Sequence, residues 1–456
     1  MVLRKLAIGE TRSCGKSSIE NRVSHIEHRA SILWTVSRRG CVLSSGGRTV
    51  AVILLLILAG CKNRQPATPT VQMDIDALLW VRVLLLDDVA ACTLKIDRPF
   101  SVLDGRADPQ TEVIKARFEQ AGVPAGIQVS NGEITIAGQS FTDEQLVILP
   151  DEPHVFNLNG SDYRGKLKLI VNPDGASFDV INLVPPEPYL AGVVGAEMPG
   201  YWEMEALKAQ AIAARTYCFY IKKRFGANRD WDLKQTAAHQ VYRGMSAESA
   251  QIWDAVNQTK GQVLSCKQAD GTEEILPAYY SSTCGGHTEN SRNVFGDSFE
   301  TLIGVRCPYC QDVAKPKFFF WPMVQFDKAN VTARLLERYP ALKALGEITD
   351  VRSAGQTDHG DFVRLTNIKL TGSTGKSDFL RAEDFRLALD PSGRKLRSAA
   401  FQIVELGAKW AFFSGRGWGH GVGLCQCGAE GMARKGQKAE QILAYYYPAS
   451  KIINIY

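Results

Sequence analysis

The chain has 456 residues, of which 45% are hydrophobic and 22% charged, and a formal net charge of +5. That composition belongs to a folded protein with room for two or three domains, and it excludes a disordered or collagen-like chain. The charge neither demands nor excludes an anionic partner. No basic run is dense enough to read as a nucleic-acid stripe, so nucleic acid is set aside as a partner.

Residues 1–61 read as a leader. Arg48 precedes the apolar run Val50–Leu58, which ends in Leu58-Ala-Gly-Cys61. The run is too short to span a membrane comfortably, and its ending looks like a bacterial lipobox with Cys61 as the lipidated residue. A plain signal peptide or a short buried helix is the simpler alternative. The polar stretch 1–47 is long for such a leader. Gly15-Lys-Ser17 is not a phosphate loop, because position 10 holds Glu10 and no strand precedes it. Residues 62–76 are polar and contain proline, which predicts a tether. The chain is thus expected to be exported, and held to the membrane by a lipid.

Residues 77–184 are expected to form a β-rich N-terminal domain. Trp80–Leu86, Glu133–Ile136, Leu167–Val171 and Ser177–Val184 are short β-rich runs, separated by turn signals such as Asn131-Gly132 and Pro173-Asp-Gly175. Residues 185–456 are expected to form a mixed α/β core. Its main helix is predicted from about Trp202 to Phe225, with Leu207, Ala211, Ala214, Cys218, Ile221 and Phe225 in one buried stripe. Gln210, Arg215 and Tyr217 leave that stripe on other faces. Further helices are expected at Ser246–Thr259, Ala329–Leu345 and Glu430–Tyr446, and strands at Gly261–Ser265, Leu276–Ser281, Phe362–Leu370 and Ala399–Leu406. The fold class is α+β.

Near the C-terminus, glycine falls on every second position from Gly415 to Gly423, with Arg416, Trp418 and His420 between. Strands avoid glycine, so another group is expected to approach this backbone closely. An aromatic, a cation and an imidazole beside such an opening make a substrate wall. Glu197 sits in Val193-Val-Gly-Ala-Glu-Met-Pro199, at a strand or loop end before the long helix. Its apolar flank would raise the carboxyl pKa and suit a general acid. An acid that merely offsets a helix dipole is the simpler reading of these residues alone.

Three stretches resemble the SpoIID/LytB family, which acts on bacterial peptidoglycan. They are Tyr189–Tyr217 with Glu197-Met-Pro and Ala214-Arg-Thr-Tyr217, Tyr279–Glu289 with Cys284-Gly-Gly-His287, and the glycine-rich run through Gln426. The resemblance runs from about Val81 to Tyr456. It reverses the balance at Glu197, because Glu-Met-Pro is the family's catalytic signature. The reaction it implies is lytic transglycosylation of peptidoglycan glycan strands, with Glu197 as acid and then base and a 1,6-anhydro ring as product. A hydrolytic route needs a second carboxylate. Glu289 is the best candidate, and a structural hydrogen-bonding role suits it equally.

Gln210, Arg215, Tyr217, Gln240, Tyr242, Trp418, His420 and Gln426 are the candidate substrate-binding residues. Arg215 could hold a carboxylate as a planar fork or pair a buried acid. Trp418 could stack on a sugar ring. His420 could bond sugar or cap its own loop. Gln240 and Tyr242 match the family pattern in His239-Gln-Val-Tyr242. Cys284-x2-His287 and Cys307-x2-Cys310 have the spacing of a tetrahedral zinc set, and family members with zinc near this motif support it. In an exported chain the same cysteines could instead form disulfides. Cys425 and Cys427 read as packing residues. The rival function is a non-catalytic, glycan-binding enhancer of a cell-wall amidase. A zinc hydrolase would need an open metal position, and no His-Glu-x-x-His motif occurs.

Overall fold

The computed structural model describes residues 79–107, 112–267 and 271–456. The leader, the lipobox at Cys61 and the tether lie outside the described residues. The fold is α+β, with strands alone before residue 185 and helices mixed with further strands after it.

Two antiparallel sheets open the described chain. Alternation drives them: Gln145–Pro150 and Glu133–Ile136 bury every second side chain. One sheet of seven strands carries Val81–Val89, Phe178–Val184 and Lys166–Val171 at one side, and one of six strands carries Ala91–Lys95 and Ala125–Ser130. The strand Leu233–Lys234, from beyond the long helix, joins Val81–Val89 in parallel and ties the first sheet to the helical region. One apolar core runs from Val81 and Phe178 to Ala211, Leu424 and Tyr447, so burial is continuous across residue 184.

Phe178–Val184 passes directly into a helix, α1 (Pro186–Glu197), where the sequence pattern had suggested strand or loop. Three prolines at 185, 186 and 188 look like breakers. Proline is tolerated in the first helical turn, where its missing N–H is an orphan in any case. Gly192 and Gly195 weaken helix propensity but are needed for packing. A Cβ on Gly192 would lie 2.5 Å from the Tyr242 ring, and one on Gly195 1.9 Å from the Ala247 carbonyl oxygen. The helix ends at Glu197 because Met198 precedes Pro199, and a residue before proline is pushed to extended backbone, as Met198 is (φ −129°, ψ 145°).

The long helix α2 (Met204–Phe225) follows, with its alanines buried. A shorter one, α3 (Ala250–Gln258), is capped by the Ser249 hydroxyl. Residues 320–413 build a second apolar core of their own around Trp321, Val331, Leu335, Phe385 and Phe412. The predicted helix 430–446 is two helices, Gln426–Ala433 and Ala439–Tyr446, broken where Gly436 takes φ +82°. Among the described residues, no helix is long and apolar enough to cross a membrane.

Candidate active site

Glu197 ends α1 with its residue still partly open to solvent. One carboxylate oxygen accepts the Val241 N–H at 2.8 Å, and the other faces the Gln426 side-chain amide at 3.5 Å. Burial raises the Glu197 carboxyl above its ordinary range, and the Val241 and Gln426 contacts and the charge of Arg243 only partly offset that. The negative end of the helix dipole acts in the same direction as burial. A carboxyl group raised in this way, on a residue still partly open to solvent, can act as a general acid.

The loop holding Val241 is pinned on both sides. Gln240 accepts from the Tyr189 hydroxyl at 2.9 Å and donates to the Ala214 carbonyl at 3.1 Å and the Tyr280 hydroxyl at 2.9 Å. Tyr242 is buried and donates to Asn182 Oδ1 at 2.9 Å. Both residues therefore hold the backbone that contacts Glu197, with their polar atoms engaged inside the protein. Tyr242→Phe is expected to lower the unfolding free energy by about 1–3 kcal/mol, because Asn182 loses a buried partner. Chemical denaturation would measure this.

Arg215 is fully buried and donates to the carbonyls of Thr259, Gln262 and Val256 at 2.7, 3.2 and 3.3 Å, with Glu187 at 3.6 Å. These carbonyls lie at and beyond the end of α3, where a cation is favourable. Of its two readings, the buried-acid pairing is the one the geometry matches. Gln210 is also fully buried on α2, and its amide hydrogen-bonds to none of the described residues. Tyr217 is half-buried, with its ring 5.9 Å from Tyr279.

Tyr279 leads to the glycine-rich run. Its ring lies 4.4 Å from Phe295 and 6.1 Å from His420, and Phe295 meets His420 edge-on at 5.1 Å. His420 Nδ1 accepts the Val422 N–H at 3.0 Å, so the imidazole caps its own loop. Burial pushes it down to about 4, so it is neutral at pH 7. Trp418 is half-buried, with Phe318 edge-on at 4.7 Å and the Arg397 guanidinium over its ring at 5.2 Å. The expected close approaches do occur. A Cβ on Gly423 would lie 2.0 Å from the Tyr279 carbonyl oxygen, and one on Gly415 1.9 Å from the Trp321 ring. Gln426 begins the helix after this run, which is how a residue 229 positions away reaches Glu197.

Three other carboxylates of these motifs are engaged elsewhere. Glu289 is held at about 2, despite its burial, by His359 at 3.1 Å, the charge of Arg364 and the Asn293 amide. So low a pKa makes a weak base at neutral pH. Glu205 accepts from Lys208 and the Ala439 N–H. Glu187 accepts from the Tyr456 hydroxyl.

The cysteine constellation differs from the expected one in a single ligand. Cys284, Cys307, Cys310 and Cys425 are buried, and their sulfurs all lie within 4.8 Å of one another. His287 is outside this group. Its Nδ1 faces the Thr288 carbonyl at 2.6 Å, and its ring stacks on His359 at 4.2 Å. Cys425 takes the fourth place because its strand pairs in parallel with Tyr280–Ser281, and the Cys284 N–H points at its sulfur at 3.2 Å. Read from spacing alone, Cys425 had no visible link to Cys284. The Cys284 and Cys310 sulfurs are 3.7 Å apart. Tetrahedral Zn–S bonds of about 2.3 Å separate their sulfurs by about 3.8 Å, so the set fits a metal. No disulfide joins any of the described cysteines. Gly428 keeps the site closed, since a Cβ there would meet the Tyr446 hydroxyl at 1.9 Å and the Cys307 sulfur at 2.6 Å.

Comparison with known proteins covers both halves of this arrangement. A family model described as SpoIID, stage II sporulation protein, matches residues 174–265. A second, described as a domain of unknown function (DUF8618), matches residues 296–423. An uncharacterized protein of Brachyspira hyodysenteriae is 31% identical over 82% of this chain and 93% of its own length. Stage II sporulation protein D of Bacillus subtilis is 30% identical over 59% of this chain and 74% of its own length. The amidase enhancer of Bacillus subtilis is 26% identical over 90% of this chain, which spans only 60% of that relative.

Proposed function

This chain belongs to the stage II sporulation protein D (SpoIID) family, and on that premise we propose that it is an exported peptidoglycan lytic transglycosylase with Glu197 as its acid and base. One observation carries the reading: the carboxyl at the end of α1, on a residue partly open to solvent, is raised by burial and braced by Val241 and Gln426. The protonated carboxyl gives its proton to the glycosidic oxygen between muramic acid and glucosamine as the C1–O bond breaks. The resulting carboxylate then takes the proton of the C6 hydroxyl as that oxygen bonds to C1. The ring closes without water and the acid is regenerated. Glu289, held at about 2 in its own ion-pair network, is a poor second catalyst, which favours this route over hydrolysis.

In this reading Trp418, His420, Tyr217 and Gln426 border the glycan, while Gln240, Tyr242 and Arg215 position the scaffold and Gln210 lies buried on α2. The four cysteines hold a structural zinc, closed to catalysis by its four protein ligands. The protein faces the cell wall from the membrane surface, anchored through Cys61. The amidase-enhancer relative favours a second reading, a glycan-binding partner of a cell-wall amidase.

Mass spectrometry of products from intact and peptide-stripped glycan strands tests both. Anhydro-muramyl ends from wild type and none from Glu197→Gln is the expected result. Reducing ends would mean hydrolysis, and uncut strands that co-sediment with the protein would favour the enhancer.

The Gln426 contact gives a pH prediction. Its amide stabilises the charged form of Glu197, so Gln426→Met should raise the carboxyl further. Since the acid works protonated, the alkaline limb of kcat/KM should move to higher pH. An unmoved or lowered limb in the pH profile would detach Gln426 from the acid.

A further inference from the structure

The second core, residues 320–413, is not used by the chemistry above. Where it meets the glycine-rich run lies a hollow of about 420 Å³, lined among others by Phe320, Trp321, Asp361, Phe362, Gln402 and Arg416. A second hollow of about 240 Å³, lined by Arg352 and Gln356 among others, shares Val363, Phe401 and Gln402 with this trough. This size is that of small-ligand sites.

Arg416 is the informative side chain. Its guanidinium carbon lies 4.7 Å from the Phe362 ring centre, 5.1 Å from Phe319 and 5.4 Å from Phe320. The side chain is only 13% exposed. Its polar contacts are long: the Asp361 carbonyl at 3.4 Å and the Asp361 carboxylate at 3.9 Å, with that carboxylate mostly in solvent. Arg416 Nε is buried without a partner, and so is the Trp321 indole N–H. A desolvated cation with weakly filled donors is costly unless something pairs it.

The surroundings hold this side chain in place. Its backbone pairs with Phe320, donates to the Ala400 carbonyl and accepts from the Ser398 hydroxyl. A Cβ on Gly285 would lie 2.9 Å from Arg416 Cγ, and one on Gly286 3.3 Å from a terminal nitrogen. The Cys284-Gly-Gly-His287 turn is thus shaped around the arginine. Phe320, 54% exposed, leaves an apolar ring at the rim.

We propose that this trough binds an acidic sugar unit of the glycan, with its carboxylate on the Arg416 guanidinium and its ring against Phe320 and Phe362. This rests on the peptidoglycan reading and adds to it a subsite that selects free carboxylates. A carboxylate matches a single planar guanidinium fork. A phosphate dianion fits less well, because this hollow is lined by a single cation, Arg416, and places Asp361 nearby.

The test uses the full chain carrying Glu197→Gln, so that strands stay uncut, and measures equilibrium binding of two probes. One is peptide-stripped glycan with free lactyl carboxylates, and the other is the same glycan with those carboxylates converted to amides. The Arg416-intact protein should bind the free acid about tenfold or more tightly than the amide, as expected for a charged hydrogen-bonded pair. Adding Arg416→Gln should remove that preference, Arg416→Lys should keep part of it, and Phe320→Ala should weaken both probes. The comparison of the two probes needs no Arg416 variant, so it stands even if Arg416→Gln misfolds. Equal binding of both probes overturns the subsite and leaves the glycan reading intact. Binding of neither probe overturns both.

Discussion

Glu197→Gln is expected to lower glycan-strand cleavage by about 10²–10⁴-fold, the usual contribution of a positioned general acid. Glutamine keeps the shape and can still meet Val241 N–H through its carbonyl oxygen, so the loss should fall on kcat with the fold and KM preserved. Glu197→Asp should be nearly as damaging. It draws the carboxyl back by one methylene from a helix end whose position is set by Met198 and Pro199, and misplacement of about 1 Å can cost 10²-fold. The pH profile carries the same argument. Burial holds the Glu197 pKa above its ordinary value. Proton donation is then available below that raised pKa and is lost as pH rises through it. The carboxylate of the second step is produced by the first, so it adds no acidic limb of its own. Steady-state rates across pH on peptide-stripped strands measure the alkaline limb. A Glu197→Gln protein that retains wild-type rates would remove Glu197 from the chemistry.

What could be read from the residues was whatever is local. The buried stripe of α2 from Leu207 to Ile221, though not its predicted end at Phe225, which is 37% exposed, the strands Glu133–Ile136 and Phe178–Val184, and a carboxylate in an apolar flank are each written within a few positions. α1 was not legible, because its prolines and glycines serve packing and capping that only the neighbouring turn at Gly244–Ala247 explains. The partners of Glu197 were singled out individually, but their meeting was not visible, since Gln426 arrives from 229 residues away. Glu289 looked like a spare catalytic acid. Its burial with His359 and Arg364, drawn from the second core, turns it into part of the framework. Likewise Arg215 looks like a substrate fork until the carbonyls beyond α3 are placed around it.

Removing metal from the four-cysteine site is expected to destabilise the core more than any single hydrogen-bond deletion. Cys284 and Cys310 lie in the loops on either side of His287, and Cys425 precedes the helix that carries Gln426. A metal here would join all three segments, and Tyr446 packs against it through the Cys307 sulfur at 3.0 Å. Structural zinc binding is worth about 10–16 kcal/mol in zinc-finger peptides near pH 7, which sets an upper bound for this site. Purified protein should carry one equivalent of zinc by elemental analysis. Cys425→Ser should lose it and unfold at markedly lower temperature, whereas His287→Ala should keep it. That contrast separates the four-sulfur set from the Cys-x2-His set that spacing suggested. Chelator should reproduce the loss seen in Cys425→Ser, and acid should promote it, because zinc needs thiolates and protons compete for them. Thiols that resist alkylation until reduced, in a protein free of metal, would instead mean disulfides, and the sulfurs would then have to close from 3.7 Å to about 2.05 Å. Because Gln426 directly follows the Cys425 ligand, loss of zinc should also lower cleavage at temperatures where the protein remains folded. A Cys425→Ser protein with full activity and an unchanged melting point would exclude a structural metal.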